Sequence, residues 1–257
     1  MRTRYRISVG GVQMDSLDSN LIILDIANAQ PDRTRQEYTV ANFNGLDYGS
    51  EYVGRQTVTV TFELHIYDVK KRNAALQKVN AWAKAGGTLI INDREKQRLM
   101  NVVCQQYAEM TSVLKWTDPL TVVFATTYQP YWVSDTAVTR TLTGKSASGT
   151  LTMDGNVGSA LVSVTVTAQG NVSSVQLVCG STTLKLTGLN MTNGQKLVVD
   201  YSRNRYLRIR LEGSSVLTKL DPSSADNLLA ECGKTSTVSV TANNKVTAVF
   251  TARGCWL

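Results

Sequence analysis

The chain has 257 residues, of which 42% are hydrophobic and 18% are charged, and its formal net charge is +7. This composition can bury a core and excludes a disordered chain, while one His and four Cys exclude a His-rich metal site and a dense disulfide scaffold. The positive charge suits a nucleic acid, an anionic surface or an acidic partner protein, or an ordinary solvated surface. The 30 Thr and 29 Val are β-branched, so composition alone predicts a mainly β protein.

The first half of the chain predicts strands around a single helix. Asp68 can cap the helix because its carboxylate accepts backbone N–H bonds that otherwise lack partners. Gly86-Gly87 ends it, since glycine adopts the left-handed conformation of a helix C-terminus. Alternation of apolar and polar side chains, which is typical of half-buried strands, occurs in residues 4–9, Thr57–Tyr67 and Leu120–Thr126. Pro130 disfavours further regular structure, and we place a domain boundary at about residue 133.

The second half predicts short strands in regular succession. Turn signals separate these strands at Gly170-Asn171, Asn193-Gly194, Arg203-Asn204 and Asn243-Asn244. A short helix near Ser224–Ala230 is the one exception that the pattern allows. Such regular strands with turns between them are typical of an antiparallel sandwich.

Two motifs invite an enzymatic interpretation, and neither is complete. Gly144-Lys145-Ser146 matches the end of a phosphate-binding loop, but Thr139 stands where that loop needs a glycine. A Ser-His-Asp site would have to use His65, the single histidine, whose neighbours on the strand face are Glu63 and Tyr67. No serine is marked as its nucleophile, so the sequence favours a solvated or interface histidine.

The acidic and sulfur-bearing residues predict structural roles. Asp15 and Asp18 could pair for acid–base chemistry or bind a cation, but turn and capping roles are favoured. A carboxylate pair of the glycoside hydrolase kind is neither indicated nor excluded. Reduced, separately buried thiols, as in a protein made in a cytoplasm, are expected for Cys104, Cys179, Cys232 and Cys255. Neither a signal peptide nor a membrane-spanning segment is expected.

Arginines form the most concentrated charge feature of the sequence. Arg208, Arg210 and Tyr206 share one face of a predicted strand, and Arg203 and Arg205 precede them. Arginine suits carboxylates and phosphates, so this face predicts a solvated sheet surface or a protein contact, with sugar and nucleic acid as further alternatives. The arginines near the N-terminus either meet acidic partners or solvate an edge strand. The candidate protein-interface residues are Arg2, Arg4, Arg6, Tyr206, Arg208 and Arg210; no catalytic, metal-binding or cofactor-binding residue is assigned.

Four segments follow one another in a characteristic order along the chain. They are Asp15-Ser16-Leu17, residues 47–55 (DYGSEYVGR) before the long alternating strand, residues 89–93 (LIIND) after the helix, and residues 250–257 (FTARGCWL). This ordered set resembles the distal tail protein (Dit) family of siphophages, also called the siphovirus-type tail component family. The resemblance covers the whole chain, most strongly residues 10–130 and 185–257.

The resemblance implies a fold and a role. Residues 1–133 would form a β-sandwich with one α-helix and a hairpin arm, and would assemble into a ring, usually of six copies, around a channel for DNA. Residues 134–257 would form a peripheral galectin-like or carbohydrate-module-like β-sandwich. The chain would be a non-enzymatic structural hub of the virion tail tip, made in the bacterial host cytoplasm. It would have no cofactor, no specific nucleic-acid binding and no membrane segment.

The resemblance also implies partners and leaves alternatives. The partners would be further copies of the chain, the tail tube protein, the tail-associated hub or lysin protein, the tape measure protein, and a receptor-binding or tail fibre protein used in host adsorption. Because phosphate would stick to a strongly positive channel, we predict that the arginines of residues 203–210 point away from it. The alternatives are a carbohydrate- or receptor-binding module of the virion, a tail-tube-like protein, and a cell-wall hydrolase.

Overall fold

The computed structural model describes residues 5–39, 46–94, 96–109, 118–127, 129–202 and 205–257. The chain divides into two units, Met1–Trp132 together with Leu257, and Val133–Trp256. The sequence predicts a domain boundary at about residue 133. We describe each unit by itself.

In its described residues, the first unit combines one α-helix with two sheets. Its strands are β1 (Ile7–Val9), β2 (Val12–Gln13), β3 (Leu21–Ala29), β4 (Arg33–Thr39), β5 (Leu46–Val53), β6 (Thr57–Leu64), β7 (Gly87–Ile91), β8 (Gln97–Gln106) and β9 (Leu120–Thr126). Its helix is α1 (Val69–Ala85), and Met14–Ser16 and Asn92–Arg94 form 3-10 turns. The larger sheet has the order β2-β1-β7-β8-β9-β6-β3, and β4 and β5 pair with each other in a separate sheet. That two-stranded sheet, which we call the arm, matches the predicted hairpin arm.

Strand β6 is the centre of this unit, and its alternation is as predicted. Val58, Val60 and Phe62 are completely buried, and β3 and β9 flank the strand on its two sides. The prediction that the strand continues to Tyr67 is wrong. The backbone leaves the ladder after Leu64, because the N–H of Ile66 turns back to the carbonyl of Leu64.

The first strand is shorter than predicted. Ile7 and Val9 are buried in β1, as the alternation of residues 4–9 indicates, but Tyr5 lies before the strand and is exposed. Arg6 is also outside the strand: its backbone N–H bonds to the side chain of Asn92, whose own N–H bonds to the carbonyl of Arg6. This reciprocal pair of hydrogen bonds fixes the entry to β1.

Helix α1 begins and ends at the predicted residues. The Asp68 carboxylate accepts hydrogen bonds from the N–H groups of Lys70 (2.8 Å) and Lys71 (3.1 Å). Gly86, with φ at +59°, ends the helix, and its N–H bonds to the carbonyl of Ala83. The buried face of the helix comprises Leu76, Val79, Trp82 and Ala83, together with Arg72 and Ala75.

We expect the Asp68 cap to make the stability of the first unit depend on pH. The N–H groups of Lys71 and Lys70 lower the pKa of the Asp68 carboxyl group. Its contribution is therefore present above the unfolded pKa of about 3.9 and is lost as the pH falls through the lower folded value. Asp68→Ala should lower the melting temperature at pH 7, and this difference from wild type should shrink below pH 4.

Asp68→Asn is the matched control for this experiment, since asparagine caps helices well without a charge. We expect its melting temperature at pH 7 to lie close to that of wild type. The part of the pH dependence that Asp68 contributes should be absent from its melting temperatures, as measured by thermal melts from pH 3 to pH 7. An Asp68→Ala difference that stays constant across this range would contradict the assignment.

The second unit is built almost entirely from strands. They are β10 (Trp132–Ser134), β11 (Val138–Thr152), β12 (Ser159–Leu161), β13 (Ser163–Ala168), β14 (Val172–Cys179), β15 (Thr182–Met191), β16 (Lys196–Tyr201), β17 (Leu207–Leu211), β18 (Ser214–Ser215), β19 (Leu229–Glu231), β20 (Thr235–Ala252) and β21 (Cys255–Trp256). Eight of them form one sheet with the order β15-β14-β20-β13-β16-β17-β18, in which β11 also pairs with β20. Strands β12 and β19 pair separately.

The predicted turn at Asn243-Asn244 is wrong. Asn243-Asn244 lies inside β20, where the strand changes partner from β14 to β13. Its other partner, β11, is irregular at the same level, between Gly144 and Ser146. The Asn243 side chain accepts hydrogen bonds from the N–H groups of Ser173 and Ser174. The asparagines therefore mark an irregularity in strand pairing, because long-range pairing of β20 overrides the local turn preference.

The short helix near Ser224–Ala230 is also absent from this described segment. Residues after Asp221-Pro222 form turns, and β19 then begins at Leu229. Leu228 and Ala230 are completely buried at a spacing of two, which is strand periodicity. The predicted turn at Gly194 is present with φ at +85°, whereas residues 203–204 lie outside the described part of the chain.

The predicted fold class is confirmed: the chain is mainly β, with a single α-helix and the arm in the described residues. The described part of the chain contains no helix that is both long enough and apolar enough to cross a membrane.

Candidate interaction surfaces

A buried glutamine holds the base of the arm. Gln56 is 1% exposed and lies just before β6. Its side-chain Nε2 donates to Asn28 Oδ1 (2.6 Å) and to the carbonyl of Ala29, both at the end of β3. Its backbone exchanges two hydrogen bonds with Thr126 at the end of β9. Gln56 therefore joins three strands at the point from which the arm departs.

The two segments that lead into and out of the arm also contact each other. The N–H of Gly54 donates to the carbonyl of Asp32 (2.7 Å). A Cβ atom at Gly54 would lie 3.1 Å from that carbonyl oxygen, so the close approach favours glycine. Pro31, one residue before, is buried. The base of the arm is therefore a packed and hydrogen-bonded structure.

Among the described residues, strand β3 is an edge of the larger sheet. It pairs with β6 on one side and is the last strand in the sheet order. Its pairing with β6 shifts at Leu24, which is 39% exposed, and Asp25, Ala27 and Ala29 are exposed beyond that point. A strand edge with small or apolar side chains can pair with another chain. The opposite edge, β2, is only two residues long.

In the second unit, two of the predicted arginines share one carboxylate. Arg208 Nε donates to Asp200 Oδ1 at 2.8 Å, and Arg210 Nη2 donates to Asp200 Oδ2 at 2.5 Å. Arg208 also donates to the carbonyl of Tyr201. We call Asp200, Arg208 and Arg210 the Asp200 cluster. Since two positive charges face one negative charge, the cluster keeps a positive excess at a partly exposed position.

Tyr206 extends from the turn next to this cluster. Hydrogen bonds between Ser202, Arg205 and Tyr206 close the connection from β16 to β17. The Tyr206 side chain is 72% exposed. Tyrosine and arginine are enriched among the residues that dominate binding energy at protein interfaces. The structure thus places Arg208 and Arg210 on the Asp200 carboxylate and Tyr206 just before their strand, and the interface role of the three residues stays a prediction.

The other predicted interface residues are not part of this group. Arg6 is exposed in the first unit, beside β1. Arg2, Arg4 and Arg203 lie outside the described residues. On the apolar face of β17, Ile209 is buried and 1% exposed, whereas Leu207 and Leu211 are half-buried.

The motifs that suggested an enzyme occupy positions in the fold that fit structural roles. Gly144-Lys145-Ser146 lies inside strand β11 at its irregularity, so it does not lead into a helix. His65 Nε2 lies 2.6 Å from Glu63 Oε2. Asp18 accepts hydrogen bonds from the backbone and side chain of Asn20, which is the turn role expected of it. Within the described ranges, no three His, Cys, Asp or Glu side chains are grouped to hold a metal ion.

The prediction of four separately buried thiols is wrong for one pair. Cys232 and Cys255 lie together because both pack against the segment after β11: the N–H of Cys232 bonds to the carbonyl of Gly158, and the N–H of Asn156 bonds to the carbonyl of Cys255. Cys104 and Cys179 lie elsewhere, and none of the four cysteines forms a disulfide bond.

Sequence reasoning missed Gln56 and Asp200. Gln56 has partners 27 to 70 residues away, and no local pattern signals them. Asp200 was detectable, because antiparallel pairing of the neighbouring strands β16 and β17 places Asp200 directly opposite Arg208.

Comparisons with known proteins give a structural likeness without a sequence match. No protein-family model matches the chain, and no curated protein sequence matches it. The crystal structure of the SPP1 Dit protein, described as a paradigm of the hub adsorption apparatus in phages that infect Gram-positive bacteria, is similar with a TM-score of 0.75 and 12% identity. The similarity covers 97% of this chain and 98% of that chain.

Two structures of the phage p2 baseplate in its activated conformation, with Ca and with Sr, are more distant. Each has a TM-score of 0.49 and 8% identity, with 97% of both chains covered. The likeness to SPP1 Dit shows that this chain has a Dit-type fold over nearly its whole length. The predicted resemblance is thereby confirmed at the level of the fold.

Proposed function

We propose that this chain is a structural hub of a bacteriophage tail tip. Copies of the chain would form a closed ring of six subunits that connects the tail tube to the baseplate or tail fibre proteins, with a central channel for DNA. The observation that carries the proposal is the likeness to a hub protein over 97% of the chain, because it includes both units. A likeness limited to one of the two units would not point to a hub protein in particular, because many unrelated proteins contain a β-sandwich.

The first unit offers the surfaces that assembly into a ring requires. A ring forms when two different surfaces of one subunit fit each other and the rotation between subunits closes. The edge of β3 is one such surface, and the arm, anchored by Gln56, is the other in this proposal. Both lie in the unit that the family resemblance assigns to the ring.

The second unit would serve as the outward docking unit. The Asp200 cluster and Tyr206 offer a positive patch with an exposed aromatic ring, which suits an acidic surface on a receptor-binding or tail fibre protein. DNA phosphates would stick to a positive channel wall, so we place this cluster away from the channel. The tail tube, hub or lysin, and tape measure proteins would be the axial partners.

The role is a mechanical and non-enzymatic one in the virion. Rigid sheets hold the surfaces in place, and the binding of neighbours requires no bond chemistry. Nothing in this role calls for a cofactor or a metal ion.

A lysine on the edge of β3 should prevent ring formation. Ala27 is exposed on β3, and charged lysines on edge strands hinder pairing with another chain. We expect Ala27→Lys to remain folded and to raise the protein concentration at which rings appear by at least about tenfold, a loss of about 1.4 kcal/mol of association free energy. Mass photometry and negative-stain images across a dilution series measure this.

Thr139→Lys is the matched control, because Thr139 is exposed on β11, an edge strand of the second unit. It should assemble like wild type. Equal loss of rings in both variants would remove the assignment of assembly to the first unit, and unchanged rings in Ala27→Lys would remove the β3 edge from the interface.

A further inference from the structure

The structure brings together two cysteines that the sequence separates by a whole strand. Cys232 follows β19 and Cys255 begins β21, with β20 between them. A Cβ atom placed on Gly155 would lie 2.2 Å from the carbonyl oxygen of Cys255 and 3.1 Å from the Cβ of Cys232. Both cysteines therefore lie next to the same glycine. Gly155 and Cys255 also form a parallel backbone bridge.

The side chain of Cys255 also influences the Cys232 thiol. Its Sγ lies 3.7 Å from the carbonyl oxygen of Arg253, and the N–H groups of Cys255 and Ala160 help to lower the pKa of Cys232. The Cys255 side chain is the strongest influence and lowers the pKa of Cys232 to about 7. Burial, in contrast, raises the pKa of Cys179 to about 11 and also raises the pKa of Cys104.

The two members of the pair differ in access. Cys232 is half-buried, and Cys255 is buried. A thiolate is the attacking species in thiol–disulfide exchange, and a partly exposed thiolate beside a second thiol is the arrangement such exchange requires. Cys232 can therefore attack an external disulfide, and Cys255 can complete the reaction.

We propose that Cys232 and Cys255 are a redox-active dithiol that closes to an intramolecular disulfide on exposure to a small-molecule disulfide. The Cys232 thiolate attacks one sulfur of the oxidant, forms a mixed disulfide and releases one thiolate, which takes up a proton. The Cys255 thiol then loses its proton to water and attacks the Cys232 sulfur, which releases the second thiol. Two protein thiols and one external disulfide become one protein disulfide and two external thiols.

The bond would fasten β21 to the turn between β19 and β20. It would close a loop that contains all of β20, the strand that pairs with β11, β13 and β14. Cross-linking restricts the unfolded chain more than the folded one, so the second unit becomes more stable when oxidised. The inference rests on the geometry of this unit and is independent of the proposed function.

Oxidised glutathione added to the reduced full-length protein tests the proposal. Trypsin separates the cysteines into different peptides, of which Leu220–Lys234 carries Cys232 and Gly254–Leu257 carries Cys255. We expect these two peptides to appear joined, with the loss of two hydrogen atoms from the intact monomer. We also expect a melting temperature about 5 °C higher than in the reduced protein.

Single variants separate the roles of the two thiols. Cys255→Ser should retain one glutathione on Cys232, and Cys232→Ser should take up none at Cys255, since that thiol is buried. Cys104→Ser should close its disulfide like wild type. Joined peptides that contain Cys104 or Cys179 in place of this pair would overturn the proposal. So would alkylation of both Cys232 and Cys255 in the folded wild type after treatment with oxidised glutathione. Both measurements use the wild type, so they hold even if a variant fails to fold.

Discussion

Gly155→Ala should strongly destabilise the second unit, although it adds only one methyl group. The added Cβ would lie 2.2 Å from the carbonyl oxygen of Cys255 and 2.9 Å from its nitrogen, and both are backbone atoms of β21. Gly155 also has φ at +121°, a conformation that L-residues with side chains rarely adopt. Overpacking and backbone strain together should lower the free energy of unfolding by about 3–5 kcal/mol.

Gly158→Ala is the control that isolates the steric part of this effect. Gly158 lies in the same segment with φ at +54°, but a Cβ there would have no atom within 4 Å. It should cost only the left-handed strain of about 1–2 kcal/mol. Urea denaturation of both variants measures the difference, and equal losses would show that β21 does not pack against Gly155.

The second large effect is expected at the base of the arm. Gln56→Ala removes the hydrogen bonds to Asn28 and to the carbonyl of Ala29, and it leaves a cavity where a side chain is 1% exposed. Each lost hydrogen bond costs about 0.5–1.5 kcal/mol, since the partners on β3 are only partly buried, and the cavity adds to this loss. We expect the free energy of unfolding of the first unit to fall by about 2–4 kcal/mol.

Gln105→Ala is the matched control, because Gln105 is an exposed glutamine on β8. It should change the free energy of unfolding by less than about 0.5 kcal/mol. If the arm contributes to the ring, Gln56→Ala should also reduce ring formation under conditions in which the variant remains folded. A Gln56→Ala variant as stable as Gln105→Ala would contradict the role assigned to this side chain.

The elements predicted correctly are those with local causes. The carboxylate of Asp68 reaches N–H groups two and three residues away, and Gly86 ends the helix through its own backbone. The alternation in β6 and β9 reports burial of one face, which each strand carries in its own sequence. Such features are readable without knowledge of any distant contact.

The errors arise where distant residues decide the outcome. Asn243-Asn244 has the local signal of a turn, but the two residues lie inside β20, because β20 pairs on both sides of them with strands far away in the sequence. The Cys232–Cys255 pair has no short spacing that would mark it, because a glycine in a third segment brings the two residues together. Gln56 is likewise defined by its partners on β3 and β9.

Native mass spectrometry of the full-length protein at micromolar concentration tests the central claim most directly. The proposal predicts a single closed assembly of six chains, seen as a ring with an open centre in negative-stain images of the same sample. A strictly monomeric protein that also forms no ring with tail tube protein would contradict the claim that this chain acts as a hub through contacts with copies of itself.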